Sequence, residues 1–416
     1  MSAELIETMD SIDTEVQTNA LVAGESVQFL VFSDDWGEHP SSCQHLFRLI
    51  APSNPTIWVN TVGLRQPQLT FDDARRSLRK VSAMLGFRKP HSDLAPQSNS
   101  HGNGNEQTRP AGPTVRIPLM TPFHSPAWLA AWNSRSLLQN VQGAINELSF
   151  DKYTIVTTTP SVYEVVSKLS PYRVVYYCVD DFSEWPGMEK SLIKQMETKL
   201  LEHVNLIVCS SSALYERFKH THPTYLLTHG VDVDLFTKQP AHEHQLLHKI
   251  PEPRVGYFGN FDGRSDTELL LAIAQAMPHI SFVITGPVQG KFPDLKHQPN
   301  IYFTGAVPYG ELPQIVHGWK ACLLPYQVNT LTTNINPLKL KEYLASKKPV
   351  IATPLPEVCE LAEYLRMAES VDEWCRAISD AVSGAWLPNN KSIEELLRHE
   401  SWSGKADLFL RICQVA

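Results

Sequence analysis

The stretch NINPLKLKEYLASKKPVIAT, at residues 334–353, predicts an amphipathic helix that runs directly into a buried strand. Asn336 is a good N-cap residue, and Pro337 suits the first helical position because its missing N–H is not needed there. Leu340 and Leu344 lie four residues apart, so they give the helix one apolar stripe. The apolar run at 350–352 then supplies the strand.

Lys339 is unusual in this helix because it falls in the first turn, where the helix dipole disfavours a cation. Its position makes sense if an anion, such as a diphosphate, docks on the free N–H groups of that turn. Glu342 lies three residues further on, so it shares a face with Lys339. One helix would then offer a cation for phosphate and a carboxylate for hydroxyl groups. The alternative is a surface lysine and glutamate on an ordinary amphipathic helix.

Short apolar runs alternate with helical segments along most of the chain. The predicted strands of a first series are 27–32, 56–60, 114–119, 153–157, 173–179, 204–209 and 225–227. Those of a second series are 254–258, 281–285, 301–303, 321–324 and 350–352. Strands separated by helices imply parallel sheets with right-handed crossovers. The sequence therefore predicts an α/β protein with two doubly wound, Rossmann-like domains in series.

A polar, proline-bounded stretch at 237–252 marks the expected boundary between the two domains. An acidic, aperiodic N-terminus and a segment at 89–113 that is almost without apolar residues are expected to be flexible. A helix is expected at 72–85. The predicted parts are a flexible N-terminus (1–25), an N-terminal domain (26–240, with a disordered loop at 89–113), a C-terminal domain (241–385) and helices that pack back on the N-terminal domain (386–416).

Composition excludes several classes of protein. A length of 416 residues favours two domains, and a net charge of −8 argues against a nucleic-acid-binding protein. The seven cysteines are scattered and lack CxxC spacing, which indicates reduced thiols in a cytoplasmic protein. No apolar run approaches membrane-spanning length, and the N-terminus lacks the basic region of a signal peptide.

Ligands of doubly wound sheets bind outside the carboxyl ends of the strands. The polar residues and glycines that fall at or after such ends are Asp34, Asp35, Asp180, Asp181, His229, Gly230, Gly259, Asn260, Gly286 and Lys339. If the two sheets face each other, these residues would meet across one cleft.

A set of motifs spread over both domains resembles the family 4-like glycosyltransferases of the GT-B fold, in particular the bacterial teichuronic-acid-biosynthesis type. The motifs are YYCVDDFSEWPG (176–187), HGVDVDLF (229–236), GYFG (256–259) followed by Asp262, Arg264 and Asp266, Gly286-Pro287, Gly305 with Val307-Pro308-Tyr309, Glu311-Leu312-Pro313, Leu324-Pro325-Tyr326, and NPLKLKEYLASKKPVIATPLPE (336–357). The resemblance covers roughly residues 27–380 and is densest from 254 to 357.

The resemblance implies that the C-terminal domain holds a UDP- or GDP-sugar and that the N-terminal domain holds the acceptor. Lys339 resembles the lysine that contacts the diphosphate, and Arg264 the basic residue that offsets phosphate charge. Glu342 resembles the carboxylate that binds the ribose hydroxyls. The other residues of the implied donor site are Gly259, Asn260, Gly286, Asn334, Asn336 and Leu338. The family often carries two glutamates separated by seven residues, and Asn334 stands at the first of these positions.

Glycosyl transfer requires stabilisation of the leaving diphosphate, which fixed cations and helix N-termini provide without reorganisation. Lys339 and Arg264 would supply the cations, so neither a metal nor a further cofactor is expected. An inverting enzyme would also need a general base. The candidates by location are Asp35, Asp180, Asp181 and His229. A retaining enzyme would not need that base in the same way, and the resemblance favours retention.

The sequence therefore predicts a glycosyltransferase, of hexosyltransferase type, that acts in polysaccharide biosynthesis on a glycan or lipid-linked acceptor. Two alternatives stay open: a GT-B epimerase or hydrolase of the sugar nucleotide, and a non-catalytic partner that binds it. The expected location is the cytoplasm. A lipid-linked acceptor would add a peripheral contact with the inner face of the membrane.

Overall fold

The computed structural model describes residues 26–37, 41–61, 112–121, 123, 126–185 and 187–415. These residues form two compact units. The N-terminal unit contains the described residues up to Leu227 together with the segment from Ala406 onward, and the C-terminal unit is Thr228–Lys405. The predicted flexible N-terminus, the predicted helix at 72–85 and the predicted loop up to residue 111 lie outside the described residues.

A parallel sheet of seven strands forms the N-terminal unit, in the order β3-β2-β1-β4-β5-β6-β7. Its strands are β1 (Gln28–Ser33), β2 (Thr56–Asn60), β3 (Thr114–Arg116), β4 (Tyr153–Thr157), β5 (Arg173–Cys178), β6 (Leu206–Cys209) and β7 (Thr224–Leu226). The helices are α1 (Ser42–Ile50), α2 (Ala127–Glu147), α3 (Tyr163–Val166), α4 (Lys190–Leu201) and α5 (Ser212–Phe218). The strand order reverses between β1 and β4, which is the switch point of this sheet.

A second parallel sheet, of six strands, forms the C-terminal unit in the order β10-β9-β8-β11-β12-β13. Its strands are β8 (Arg254–Phe258), β9 (Ser281–Thr285), β10 (Ile301–Gly305), β11 (Ala321–Leu324), β12 (Val350–Ala352) and β13 (Arg366–Met367). The helices are α6 (Val233–Thr237), α7 (Thr267–Ala276), α8 (Pro293–His297), α9 (Leu312–His317), α10 (Thr330–Thr333), α11 (Leu338–Ala345), α12 (Pro356–Cys359), α13 (Val371–Ser383) and α14 (Asn390–Arg398). This sheet reverses between β8 and β11.

The described structure confirms the prediction of two doubly wound α/β domains. The strands read as buried apolar runs because both faces of a parallel sheet are covered by helices. Phe29–Phe32 in β1 and Val255 in β8 are fully buried. Strand β13 escaped the sequence analysis because two residues are too few to show a pattern.

The division between the units falls at Leu227, ahead of the stretch at 237–252 where the sequence placed the domain boundary. Val231 forms a parallel bridge with Ser401, and the backbone of Gly230 lies against the Trp402 ring. These contacts attach the chain after β7 to the C-terminal unit. A polar composition marks solvent-exposed linkers, and it carries no signal of a long-range contact of this kind.

The helix Trp402–Val415 begins in the C-terminal unit and ends in the N-terminal unit. Within the N-terminal unit, the Phe409 ring lies 6.0 Å from that of Phe47 and 5.7 Å from that of Tyr177. Helix α14 belongs to the C-terminal unit instead, so the segment that the sequence grouped as 386–416 is shared between the two units.

A buried group of charges, the Glu400 cluster (Thr228, Lys341, Glu400 and Lys405), lies in the C-terminal unit beside helix α11. The Glu400 carboxylate contacts Lys341 Nζ and accepts from Lys405 Nζ at 2.9 Å. Lys341 Nζ also donates to the His229 carbonyl at 2.6 Å, and Lys405 Nζ donates to Thr228 Oγ1 at 3.0 Å. Burial and the neighbouring Lys341 ammonium lower the pKa of Lys405 to about 8.

Replacing Glu400 should destabilise the protein strongly, because Glu400→Gln leaves two buried ammonium groups without their counter-charge. Removing one partner of a buried ion pair costs about 3–5 kcal/mol. The midpoint of urea unfolding of the full chain measures the effect. Glu394→Gln is the matched control, since the Glu394–Lys347 pair is solvent-exposed. Equal midpoints for the two variants would contradict the structural role of the Glu400 cluster.

Candidate functional site

The switch point between β8 and β11 brings Tyr257, Tyr326 and Lys339 together. Lys339 is the second residue of α11, and its Nζ donates to the Tyr257 hydroxyl at 2.6 Å and to the Tyr326 hydroxyl at 3.0 Å. The ammonium also lies over the Tyr257 ring, 4.0 Å from the centroid. Both tyrosine side chains are buried. Two tyrosine hydroxyls and an aromatic face thus hold a cation at the carboxyl ends of these strands.

Burial lowers the pKa of Lys339, because a low-dielectric surrounding disfavours the charged ammonium. The nearby Arg264 guanidinium also opposes that charge. A partly buried cation whose hydrogen-bond partners are phenols lacks the full compensation that an anion would give. The site is therefore chemically prepared for a negatively charged ligand.

Arg264 supplies a second positive charge beside Lys339. It pairs with Asp262, with Nη2 to Oδ2 at 2.7 Å and Nε to Oδ1 at 2.9 Å. Burial raises the pKa of Asp262, but Arg264 outweighs burial and the pKa lies below its usual value. Ser265 pairs with Tyr326 in an antiparallel bridge, which attaches this loop to the end of β11. Two cations and this one carboxylate leave the group electropositive.

Two glycines shape the backbone above Lys339. Gly259 has φ +112° and Gly286 has φ +135°, a region that residues with a Cβ rarely adopt. A Cβ at Gly259 would lie 2.9 Å from Lys339 Nζ, and a Cβ at Gly286 would lie 2.2 Å from the Gly259 carbonyl oxygen. The ends of β8 and β9 therefore approach too closely for side chains, and the exposed backbone faces the ammonium.

Glu342 lies one turn further along α11 and is buried. The Tyr309 hydroxyl donates to Glu342 Oε1 at 2.7 Å. Burial raises the pKa of Glu342 to about 7, although Tyr309 and Lys339 both favour the ionised form. The carboxylate therefore changes its charge near neutral pH.

The other residues predicted for the donor site include Asn260, Leu338 and Asn334, and each has a different structural position. The Asn260 carbonyl accepts from the Tyr257 hydroxyl at 2.6 Å, which fixes the turn after β8. Leu338 is the first residue of α11, so its N–H belongs to the helix N-terminus. Asn334 follows α10 as its C-cap.

The prediction that Asn336 caps the helix was wrong. Pro337 occupies the N-cap position, and the Asn336 side chain donates to Glu357 Oε2 at 2.6 Å instead. A hydrogen bond to a carboxylate is stronger than one between neutral groups. The Asn336 side chain therefore binds Glu357 and does not cap the helix. Asn336 consequently joins α11 to the start of α12.

Asp181 is used structurally in the N-terminal unit. Its Oδ1 accepts from the backbone N–H and the hydroxyl of Ser183, at 3.1 and 2.6 Å, and caps a short 3₁₀ helix. Its Oδ2 pairs with Arg217 Nη1 at 3.2 Å. A carboxylate held in this way is poorly placed to act as a general base. The Asp180 carbonyl accepts a weak bond from the Cys178 thiol at 3.7 Å.

The turn after β1 is held by Gln44, which the sequence analysis did not identify. Gln44 Nε2 donates to Asp34 Oδ2 at 2.8 Å and to the Asp35 carbonyl at 3.2 Å, and Gln44 Oε1 accepts from the Gly37 N–H at 2.9 Å. Burial raises the pKa of Asp34. Asp35 thus stands on a fixed turn, whereas His229 lies in the C-terminal unit, where Lys341 binds its carbonyl.

The sequence analysis named Tyr257, Tyr309 and Tyr326 only as parts of motifs, and it missed them as partners of Lys339 and Glu342. A tyrosine inside a buried strand reads as a core residue, so sequence alone gives no reason to place its hydroxyl in a site. The described residues contain no group of three or more His, Cys, Asp or Glu side chains that could hold a metal ion. Every helix they form is too short or too polar to cross a membrane.

Comparison with known proteins relates part of the chain to one family. Residues 252–383 match the family model described as Glycosyl transferases group 1. TuaH of Bacillus subtilis (strain 168), named as a teichuronic acid biosynthesis glycosyltransferase, is 25% identical over 182 residues. The match covers 41% of this chain and 46% of TuaH, so the chain spans about half the length of the curated relative that it matches.

Two solved structures share the overall fold. Sucrose-phosphate synthase from Thermosynechococcus elongatus has a TM-score of 0.64 and is 14% identical, with 93% of this chain and 98% of that chain covered. Anabaena HepE, in complex with UDP and glucose, also has a TM-score of 0.64 and is 13% identical, with 94% and 100% covered. The described residues therefore have the GT-B fold of these structures. The match of residues 252–383 to the Glycosyl transferases group 1 model confirms the predicted resemblance.

Introducing a methyl group at Gly286 should disrupt this site. Gly286→Ala would force a contact with the Gly259 backbone and a strained φ, which alone costs about 1–3 kcal/mol. We expect a lower unfolding midpoint and weaker nucleotide binding. Gly310→Ala is the control, because a Cβ there meets nothing within 4 Å. Wild-type stability in Gly286→Ala would show that the close backbone approach is not required.

Proposed function

We propose that the chain is a glycosyltransferase that moves a sugar from a UDP- or GDP-sugar to a glycan or glycoconjugate acceptor. The observation that carries this proposal is the half-buried Lys339 ammonium beside Arg264, beneath the backbone at Gly259. A nucleotide diphosphate supplies the negative charge that this arrangement lacks. The presence of UDP in the HepE structure and the name of TuaH support the choice of donor and of polysaccharide biosynthesis.

The site would accelerate transfer by stabilising the leaving diphosphate. As the bond between the sugar and the diphosphate breaks, negative charge develops on the diphosphate. Lys339 and Arg264 are already fixed in place, so they stabilise that charge without reorganisation. Ionised Glu342 would accept hydrogen bonds from the ribose hydroxyls and so orient the nucleotide.

We further propose a retaining hexosyl transfer that needs neither a metal nor another cofactor. The resemblance to family 4-like enzymes supports retention, since transfer there occurs on the phosphate face of the donor. Asp181 is engaged by Arg217 and Ser183, which leaves Asp35, Asp180 and His229 as the general-base candidates if the reaction is inverting. The acceptor class includes lipid-linked glycans, which would bring a cytoplasmic enzyme to the inner face of the membrane.

Replacing Lys339 should weaken nucleotide binding. A hydrogen bond to a charged group contributes about 1.5–3 kcal/mol, which corresponds to a roughly 10- to 150-fold loss of affinity. Calorimetric titration of wild type and Lys339→Ala with UDP, GDP and ADP measures this loss. Lys320→Ala, an exposed lysine of the same unit, is the control. The proposed function fails if wild type binds none of these nucleotides.

Product analysis separates transfer from its alternatives. The chain is incubated with the bound sugar nucleotide, with and without oligosaccharide acceptors and with EDTA. A transferase forms a new glycoside only with acceptor, and NMR of the anomeric proton then reports retention or inversion. Turnover of the donor alone would favour an epimerase or hydrolase. Tight donor binding without turnover on any acceptor would favour a non-catalytic partner, for which Asn334 at the usual glutamate position gives a reason.

A further inference from the structure

Tyr309 is held firmly beside Glu342 by contacts that do not involve its hydroxyl. It opens the 3₁₀ helix Tyr309–Glu311, which follows β10. Its ring meets the Phe236 ring edge-on at 5.8 Å, and Phe236 stacks on Phe258 at 6.0 Å. A phenylalanine would keep these ring contacts. The hydroxyl can therefore be removed without removing the support of the loop.

We propose that Tyr309 is a positioning residue, whose hydroxyl fixes one oxygen of Glu342 and turns the other towards the ribose hydroxyls of the nucleotide. The inference rests on the proposed function, because it assumes that Glu342 meets a nucleotide. It assigns to Tyr309 a role in selecting ribose over deoxyribose. Tyr309 itself does not touch the sugar phosphate in this proposal.

The hydrogen bond from Tyr309 affects nucleotide affinity through the charge state of Glu342. An ionised carboxylate accepts hydrogen bonds at both oxygens, whereas a protonated one gives up part of that capacity. The groups that act on Glu342 are the Tyr309 hydroxyl and Lys339, which favour ionisation, and Asp232 at the N-cap of α6, which opposes it. Glu394 of α14, which packs on α11, pairs with Lys347 beyond the end of α11.

Loss of the hydroxyl should therefore act mainly near neutral pH. Glu342 titrates at about 7, so removing one hydrogen bond raises its pKa and leaves less of the ionised form at pH 7. A rise of about one pKa unit lowers the ionised fraction at pH 7 roughly fivefold, whereas above pH 9 both proteins are almost fully ionised. A loss that came only from disturbed packing would be the same at every pH.

The test is a titration of wild type and Tyr309→Phe with UDP-glucose and GDP-mannose between pH 6 and 9. These diphosphate diesters have no phosphate group that titrates in this range. We expect binding of the recognised nucleotide to be roughly fivefold weaker in Tyr309→Phe at pH 7, and the difference to vanish near pH 9. The 2′-deoxyribose analogue should show a smaller difference. Tyr364→Phe, in the same unit, is the control.

A double mutant separates an effect on the charge of Glu342 from a general effect of Tyr309→Phe on folding. In a Glu342→Gln background, which cannot ionise, Tyr309→Phe should cause no further pH-dependent loss. The inference is overturned if Tyr309→Phe binds as wild type does, or if its loss is equal at every pH. In both cases wild type still binds the nucleotide, so the proposed function survives. If wild type binds neither of these sugar nucleotides and none of UDP, GDP and ADP, both ideas fail together.

Discussion

The C-terminal unit is organised around one constraint: the ammonium of the half-buried Lys339 is held by two tyrosine hydroxyls and not, among the described residues, by a carboxylate. The phenols of Tyr257 and Tyr326 and one aromatic face hold it, and the Gly259 backbone lies directly above it. A cation in this setting costs free energy in the unliganded protein. A bound anion offsets that cost. The free energy of folding and the affinity for a ligand therefore both depend on Lys339 Nζ.

Several local features follow from this constraint. The glycines at 259 and 286 allow the strand ends to close over the ammonium. Helix α11 carries Lys339 and Glu342 on the site and Lys341 into the Glu400 cluster, where it binds the segment that follows β7. One helix thus places Lys339 and Glu342 at the carboxyl ends of the strands and Lys341 in the Glu400 cluster. The contacts of Lys341 with the Glu400 cluster therefore also help to fix the helix that carries Lys339.

The sequence was sufficient for the fold and for part of the site, for reasons that individual residues show. Strands such as β8 and β9 have boundaries that match the prediction, because buried parallel strands read as uninterrupted apolar runs. Lys339 stood out because a first-turn lysine conflicts with the helix dipole. Tyr309 and Gln44 did not stand out, because their contacts join distant segments and no local pattern records them. The prediction for Asn336 was wrong because its side chain binds Glu357, 21 residues away, and does not cap the adjacent helix.

The central claim is that the electropositive group at Lys339 and Arg264 binds the diphosphate of a sugar nucleotide. A crystal structure of the protein with UDP-glucose or GDP-mannose tests it most directly. The account predicts the diphosphate within hydrogen-bonding distance of Lys339 Nζ and the Arg264 guanidinium, with a ribose hydroxyl on Glu342. A nucleotide bound elsewhere in the C-terminal unit, with Lys339 still held by Tyr257 and Tyr326, would contradict it.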